Sequence, residues 1–293
     1  MKRYDIVFMG HFCKDEIIAP GQKPVRTAGS AVLYGGVAAG VTHSNIAAII
    51  KMNPDDQALL RPLQDVGVDV YVIPAAETTE ARVVYPSDDI EERHVHQIHN
   101  AGPLKIEELF PFRTKLLVLA GISDQEFDLI FVQKLKHLGY ALALDIQSFV
   151  RQIHPTTRKI KFRDVAEKEK IVSLMQFIKL DVLEAKILTG TDDLAKAAQT
   201  VESWGCKEIL ITTSNGVLLR ANQTNSFTRF THKRNLGRTG RGDTTFGAYL
   251  ARRLTHPPRE AQAWAAALAS LKIQDPGPFS GSYDAVKKYL NNL

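Results

Sequence analysis

Short apolar runs alternate along the chain with longer stretches of helical periodicity. Tyr4–Met9, Leu116–Leu119, Ala141–Leu144 and Ile209–Thr212 are compact runs bounded by polar residues, the pattern of buried strands. Phe127, Ile130, Phe131 and Leu135 recur at helical spacing and predict a helix over 124–138. Leu194–Trp204 and the Ala-rich stretch Ala261–Ile273 carry further helical patterns. This alternation predicts an α/β chain with a mainly parallel central sheet covered by helices on both faces. Ligands of such sheets bind beyond the carboxyl ends of the strands. Two stretches break the rhythm. Ile17–Ala31 is interrupted by Pro20, Gly21 and Pro24, and 81–98 carries the strand-like runs Arg82–Tyr85 and His94–Ile98. They predict a small antiparallel sheet off the main body, a lid made of segments approximately 11–33 and 80–100, within a single domain spanning 1–293.

Composition narrows the classes of function. Of 293 residues, 37 are Lys or Arg and 32 Asp or Glu, a formal charge of +5 spread without a basic block. A nucleic-acid partner would call for a clustered stripe or a reading motif, and neither is present. The mild excess suits steering of an anionic substrate. Cys13 and Cys206 are the only cysteines. They lie far apart and without metal-ligand spacing, so a disulfide framework is not expected. The start Met1-Lys2-Arg3 is followed by an apolar run too short for a signal peptide, and no stretch is long enough to span a bilayer. The expectation is a cytoplasmic protein with no membrane partner.

The strongest chemical signal is Gly237-Arg238-Thr239-Gly240-Arg241-Gly242-Asp243-Thr244, directly ahead of a helix whose apolar face includes Gly247, Leu250, Ala251 and Leu254. Glycines before a helix let N–H groups converge on an anion, and the helix start adds partial positive charge. A carboxylate there can take a proton from a hydroxyl attacking a bound phosphoryl group. Alone, the run equally suits a glycine-rich turn with Asp243 as a helix cap. It is neither a G-K-[ST] phosphate loop nor a G-x-G-x-x-G dinucleotide fingerprint.

The run resembles the second signature of the ribokinase (PfkB) family of carbohydrate kinases, D-T-x-G-A-G-D. The resemblance implies a ribokinase-like three-layer α/β/α fold with a small β lid, Asp243 as catalytic base, and Gly240, Arg241 and Gly242 as the anion hole. Other stretches match in order. Asp15, after the first strand, matches the family's substrate-hydroxyl Asp, and Gly35-Gly36, read as preceding an Ala-rich helix, matches its substrate-pocket glycines. Asp181-Val182-Leu183-Glu184 is similar to N-x-x-E, which implies that Glu184 helps organise magnesium. Thr212–Val217 resembles the nucleotide-side loop, pointing to Ser214 and Gly216, and Asp275-Pro276-Gly277-Pro278 resembles the turn near adenine, pointing to Gly277. Gly240 and Gly242 are also expected to bind the nucleotide. Without the family pattern, Asp15 is a turn residue, Gly35-Gly36 a packing site and Glu184 an exposed helical residue.

Departures from the pattern point to a branch. Gly237-Arg238 replaces Asp-Thr, Arg241 replaces Ala, and Gly40 stands where the family has an Asn. Together with Asp145-Ile146-Gln147-Ser148-Phe149-Val150-Arg151 these features look like the myo-inositol kinases. Gly237 in place of Asp also counts against the monovalent-cation site found in some relatives. The resemblance therefore implies transfer of the γ-phosphoryl group of ATP, with Mg2+, to a hydroxyl of a sugar or cyclitol, most of all myo-inositol. The protein would be a monomer or homodimer. Competing readings are a kinase for another sugar, a sugar acid or a nucleoside, and a non-catalytic sugar- or nucleotide-responsive regulator. His94, His96 and His99 are read as polar lid surface, and Trp204 and Trp264 as core.

Overall fold

The computed structural model describes residues 1–21, 23–86 and 94–292. In chain order the strands are β1 (Lys2–His11), β2 (Cys13–Ile18), β3 (Val25–Ala28), β4 (Ile46–Met52), β5 (Asp69–Pro74), β6 (Thr79–Val84), β7 (His94–His99), β8 (Phe112–Leu119), β9 (Leu142–Asp145), β10 (Arg151–Ile153), β11 (Ile160–Phe162), β12 (Phe177–Asp181), β13 (Glu208–Thr212), β14 (Gly216–Ala221) and β15 (Thr224–Arg229). The helices are α1 (Ala31–Thr42), α2 (Arg61–Asp65), α3 (Leu129–His137), α4 (Gln147–Val150), α5 (Lys168–Ser173), α6 (Val182–Thr189), α7 (Leu194–Ser203), α8 (Arg241–Arg253), α9 (Pro258–Lys272) and α10 (Tyr283–Leu290).

A nine-stranded sheet of order β15-β14-β13-β12-β9-β8-β1-β4-β5 forms the centre. From β13 to β5 every neighbouring pair is parallel, while β14 and β15 are antiparallel additions. Its central strands are apolar on both faces because both are covered. One face packs on α1, α8 and α9 through residues such as Phe8, Leu33, Phe246 and Trp264. The other packs on α3 and α7 through Leu119, Val132, Leu144 and Val201. The architecture is thus the three-layer α/β/α arrangement with a mainly parallel sheet.

A separate four-stranded sheet, β3-β2-β6-β7, sits at the carboxyl end of β1, since β1 runs into β2 through Phe12. It is mixed rather than antiparallel. The β2–β3 and β6–β7 pairs are antiparallel, but β2 and β6 run parallel, because each continues outward from a parallel strand of the main sheet. Gln22 and residues 87–93 of the two expected lid segments lie outside the described residues.

Three local expectations change. The helix expected over 124–138 begins only at Leu129, capped by Asp128. Residues ahead of it fold over the buried Glu126 carboxylate, which accepts from the N–H groups of His11, Ile122 and Ser123. Gly35-Gly36 does not precede a helix but lies inside α1, which starts at Ala31 with Ser30 as its cap. Trp264 is buried, whereas Trp204 is only partly buried, under the Lys168 ammonium. Among the described residues no helix is long and apolar enough to cross a membrane.

Candidate active site

The carboxyl ends of β9, β12 and β13 and the first turn of α8 meet in one place. Gly240 adopts φ +74°, a left-handed conformation that favours glycine, and a side chain there would also collide with the Tyr34 ring. This turn ends the preceding loop and starts α8, so the N–H groups of Gly242 and Asp243 have no acceptor within the helix. The Arg241 N–H reaches the Arg238 carbonyl at 3.3 Å. In the same turn the Thr244 hydroxyl is buried without a hydrogen-bond partner. The first turn of α8 therefore presents main-chain N–H groups and a buried unpartnered hydroxyl, with Asp243 in the same turn.

A charged cluster lies beneath. Lys179, on the buried strand β12, places its ammonium 3.0 and 3.1 Å from the Asp145 carboxylate oxygens and 3.9 Å from Asp243 Oδ1. It underlies Gly242, where a Cβ would lie 3.0 Å from Lys179 Cε and 3.2 Å from Nζ. Burial alone would lower the Lys179 pKa, but the carboxylates of Asp145, Glu184, Asp243 and Asp181 together hold it above its ordinary value. Lys179 thus keeps its proton.

Glu184 stands in the first turn of α6 in a reciprocal cap. Its Oε2 accepts from the Asp181 N–H at 2.7 Å, and Asp181 accepts from the Glu184 N–H at 2.8 Å. Its Oε1 is buried and has no hydrogen-bond partner, with Arg151 Nε 4.0 Å away. Burial lifts its pKa, against the pull of Lys179 and Arg151. An orphaned buried carboxylate oxygen suits a magnesium-bound water. No cluster of three or more acidic, His or Cys ligands is found among the described residues, so magnesium would depend mainly on phosphate oxygens of the donor.

The other expected residues are placed unevenly. Asp15 lies on β2 against Gly29, and its charge and that of Asp243 both act on the Tyr34 hydroxyl; burial, first, and these two carboxylates raise the Tyr34 pKa. Gly35 packs against the start of α8, with Asp243 O 3.3 Å from where its Cβ would be, and Gly247 of α8 packs on the Gly35 backbone in return. Arg241 leans toward the nucleotide-side hairpin, its Nη1 3.4 Å from the Ser214 carbonyl and its guanidinium 5.9 Å from the Phe230 ring centre. Contacts and shared charges link Asp15, Gly35, Glu184 and Ser214 to the 240–243 run. Gly36 faces Leu63 instead, Gly216 is accounted for by packing against Phe227, and Gly277 sits at φ +83° in an open turn.

Four further residues belong to this site. In the sequence Asp145 and Arg151 stand only within a branch-like stretch, and Lys179 and Tyr34 belong to no motif. Lys179 had a signal, a charge inside the apolar run Phe177–Leu180. Tyr34 had none.

No family model matches the chain. A cytidine kinase of Thermococcus kodakarensis is 26% identical over 257 residues, covering 84% of this chain and 87% of that protein. A pyrophosphate-dependent kinase of the ribokinase family, solved with sulfate, is 29% identical with a TM-score of 0.88, covering 96% of this chain and 99% of the other. Over nearly its whole length the chain is similar in sequence and fold to kinases of the ribokinase family. A ribokinase-family structure with a pyrophosphate analogue and myo-inositol is 28% identical at a TM-score of 0.87, covering 97% and 99%. Like these relatives, the protein is a phosphotransferase acting on an alcohol group. The phosphate donor expected for it, ATP, is not the one named for these two structures.

Proposed function

We propose that the protein phosphorylates a hydroxyl of a cyclitol, with myo-inositol as acceptor and Asp243 as general base. The observation that carries this reading is the placement of Asp243 in the turn that opens α8, 3.9 Å from the buried Lys179 ammonium. The acceptor would lie between Asp15 of the β2 strand, the Gly35–Tyr34 turn of α1 and Asp243. Asp243 takes the proton of the attacking hydroxyl while the Gly240–Asp243 turn stabilises charge on the transferred group. Magnesium, when bound, would neutralise phosphate charge, with Glu184 Oε1 positioned to hold it through water. The small sheet would exclude water that could otherwise accept the phosphoryl group.

For the donor we favour pyrophosphate over the ATP that the motifs imply. Arg241 carries a fixed cation from the anion hole toward Ser214 and Phe230, where a second phosphate of a short donor would fall. ATP is the second reading, favoured by a cavity of about 440 Å³ beside the Gly277 turn, lined in part by Leu271, Pro278 and Phe279, with Lys233 and Arg234 at its side. A nucleoside acceptor is the second reading at the other end, on the strength of the cytidine kinase relative.

The test is a matrix of pyrophosphate and ATP, each with Mg2+, against myo-inositol, ribose, fructose and cytidine, with products identified by phosphorus NMR. The expected result is an inositol monophosphate formed from pyrophosphate. Turnover of cytidine or ribose with none of myo-inositol would reject the acceptor, and use of ATP alone would reject the donor.

A further inference from the structure

The loop that delivers Gly240 to the anion hole is held by a buried ammonium. Lys272, the last residue of α9, is 2% exposed. Its Nζ donates to the Gly237 carbonyl at 2.6 Å and to the Thr239 carbonyl, and lies 5.0 Å from the Tyr34 ring centre. Both acceptors are main-chain carbonyls, and the third side is a π face, a setting that suits a monovalent cation. The same loop is tied to the end of α9 by the Leu236 and Gly237 N–H groups, which donate to the Ile273 carbonyl at 3.0 and 2.7 Å. At 237 a side chain would collide with the Asp275 carbonyl, so the carboxylate that the family pattern places there has no room. A family-type monovalent-cation site therefore does not fit this chain.

We propose that Lys272 is a built-in substitute for a bound monovalent cation, ordering residues 237–240 so that the anion hole is formed without potassium or ammonium from solution. The tether matters because a side-chain ammonium is present at every site at any salt composition, whereas a free ion must be bound first. Lys272 touches neither the transferred group nor Asp243 directly. It acts through the loop and is a positioning residue.

The proposal rests on the kinase reading only for its activity arm, so one measurement needs no substrate. The full-length protein and its Lys272→Ala variant are compared by amide hydrogen exchange across 236–243, and by turnover, in chlorides of sodium, potassium, ammonium and tetramethylammonium at equal ionic strength. Wild-type turnover and exchange should not depend on the cation. Lys272→Ala should exchange faster in the loop and lose about 10–100-fold in kcat, the size of about one charge-assisted hydrogen bond. Potassium or ammonium, but not tetramethylammonium, should slow the loop exchange and restore part of the rate. A wild-type enzyme activated by potassium overturns the proposal, and that arm stands even should Lys272→Ala not fold. Unchanged loop exchange in a folded Lys272→Ala, or exchange that no small cation slows, overturns it too. Faster loop exchange in a protein that phosphorylates none of the acceptors would leave Lys272's role standing and remove the kinase reading alone.

Discussion

Replacing Lys179 by Met tests how the base of the site is held. Lys179 and Asp145 are 5% and 2% exposed at the side chain and 3.0 Å apart. At an effective dielectric of about 20 their attraction is of order 5 kcal/mol, set against several kcal/mol of desolvation for each ion. Removing one partner of such a buried pair costs about 3–5 kcal/mol, because the other charge is left uncompensated. Unfolding entropy of about 2.1 cal/mol/K per residue over 293 residues gives about 0.6 kcal/mol/K, so Lys179→Met should lower Tm by about 5–8 °C. Lys179→Met/Asp145→Leu removes both charges and should recover most of that loss. A deficit of about 1–2 kcal/mol should remain, since the Gln147 N–H loses its acceptor on Asp145. Urea unfolding of the four proteins of the cycle gives the coupling directly. The double variant should nonetheless turn over about 10–100-fold more slowly, because the cation beneath Gly242 and beside Asp243 is gone. A single variant as stable as wild type, or a double variant no more stable than the single, refutes the reasoning.

Asp243→Asn should melt as wild type does and lose about 10²–10⁴ in kcat; turnover close to normal in a coupled phosphate assay rejects Asp243 as the base. Glu184→Gln should raise the Mg2+ needed for half-maximal rate about 10-fold or more, read from a magnesium titration at saturating donor. Gly240→Ala should lose about 1–3 kcal/mol to the left-handed backbone alone, and more from the collision with Tyr34, in a denaturant titration. Burial, with Arg241 adding to it and Asp243 opposing it, lowers the Lys272 pKa to about 8 from the ordinary 10.5; the Tyr34 ring of α1 also faces it. Turnover should therefore fall as pH rises through about 8. Between pH 8 and 10.5 the unfolded chain binds the extra proton, so this group's contribution to stability rises over the window in which activity falls; thermal melts and rates taken together read the opposite signs.

The sheet was legible because its strands are buried on both faces and read as continuous apolar runs, as at Leu116–Leu119. The misplaced start of α3 shows the limit of that signal. Phe127 keeps helical spacing with Phe131, yet the Glu126 carboxylate collects three backbone N–H groups from residues near and far in sequence, and that local competition sets where the helix can begin. The site divides in the same way. Asp243 and Glu184 were legible because each sits at a helix start within a short motif. Lys179 and Lys272 were hidden because their meaning lies in long-range partners, Asp145 34 residues away and the Gly237 carbonyl 35 residues away. Gly35 was legible only as a matched motif. The structure gives it a packing reason, the close approach of α8, which spacing along one helix cannot reveal.

The two buried lysines bear on how the proposed transfer would be carried in this chain. Both are charges in apolar surroundings, and each is held by groups that leave it no freedom to turn toward a ligand. Lys179 is spent on Asp145 and Lys272 on two carbonyls, so neither can follow a phosphate during transfer. What they supply is a fixed field under and behind the first turn of α8, which needs no reorganisation when charge develops there. Arg241, by contrast, reaches from the same turn toward the Ser214 carbonyl and the Phe230 ring. Selection between donors of different length should then reside in Arg241 and its Ser214–Phe230 contacts, while the rate of transfer itself should reside in the lysines. Arg241→Ala should accordingly raise the KM for pyrophosphate far more than it lowers kcat, whereas Lys179 and Lys272 variants should do the reverse. An Arg241→Ala enzyme whose loss falls wholly on kcat would erase that division.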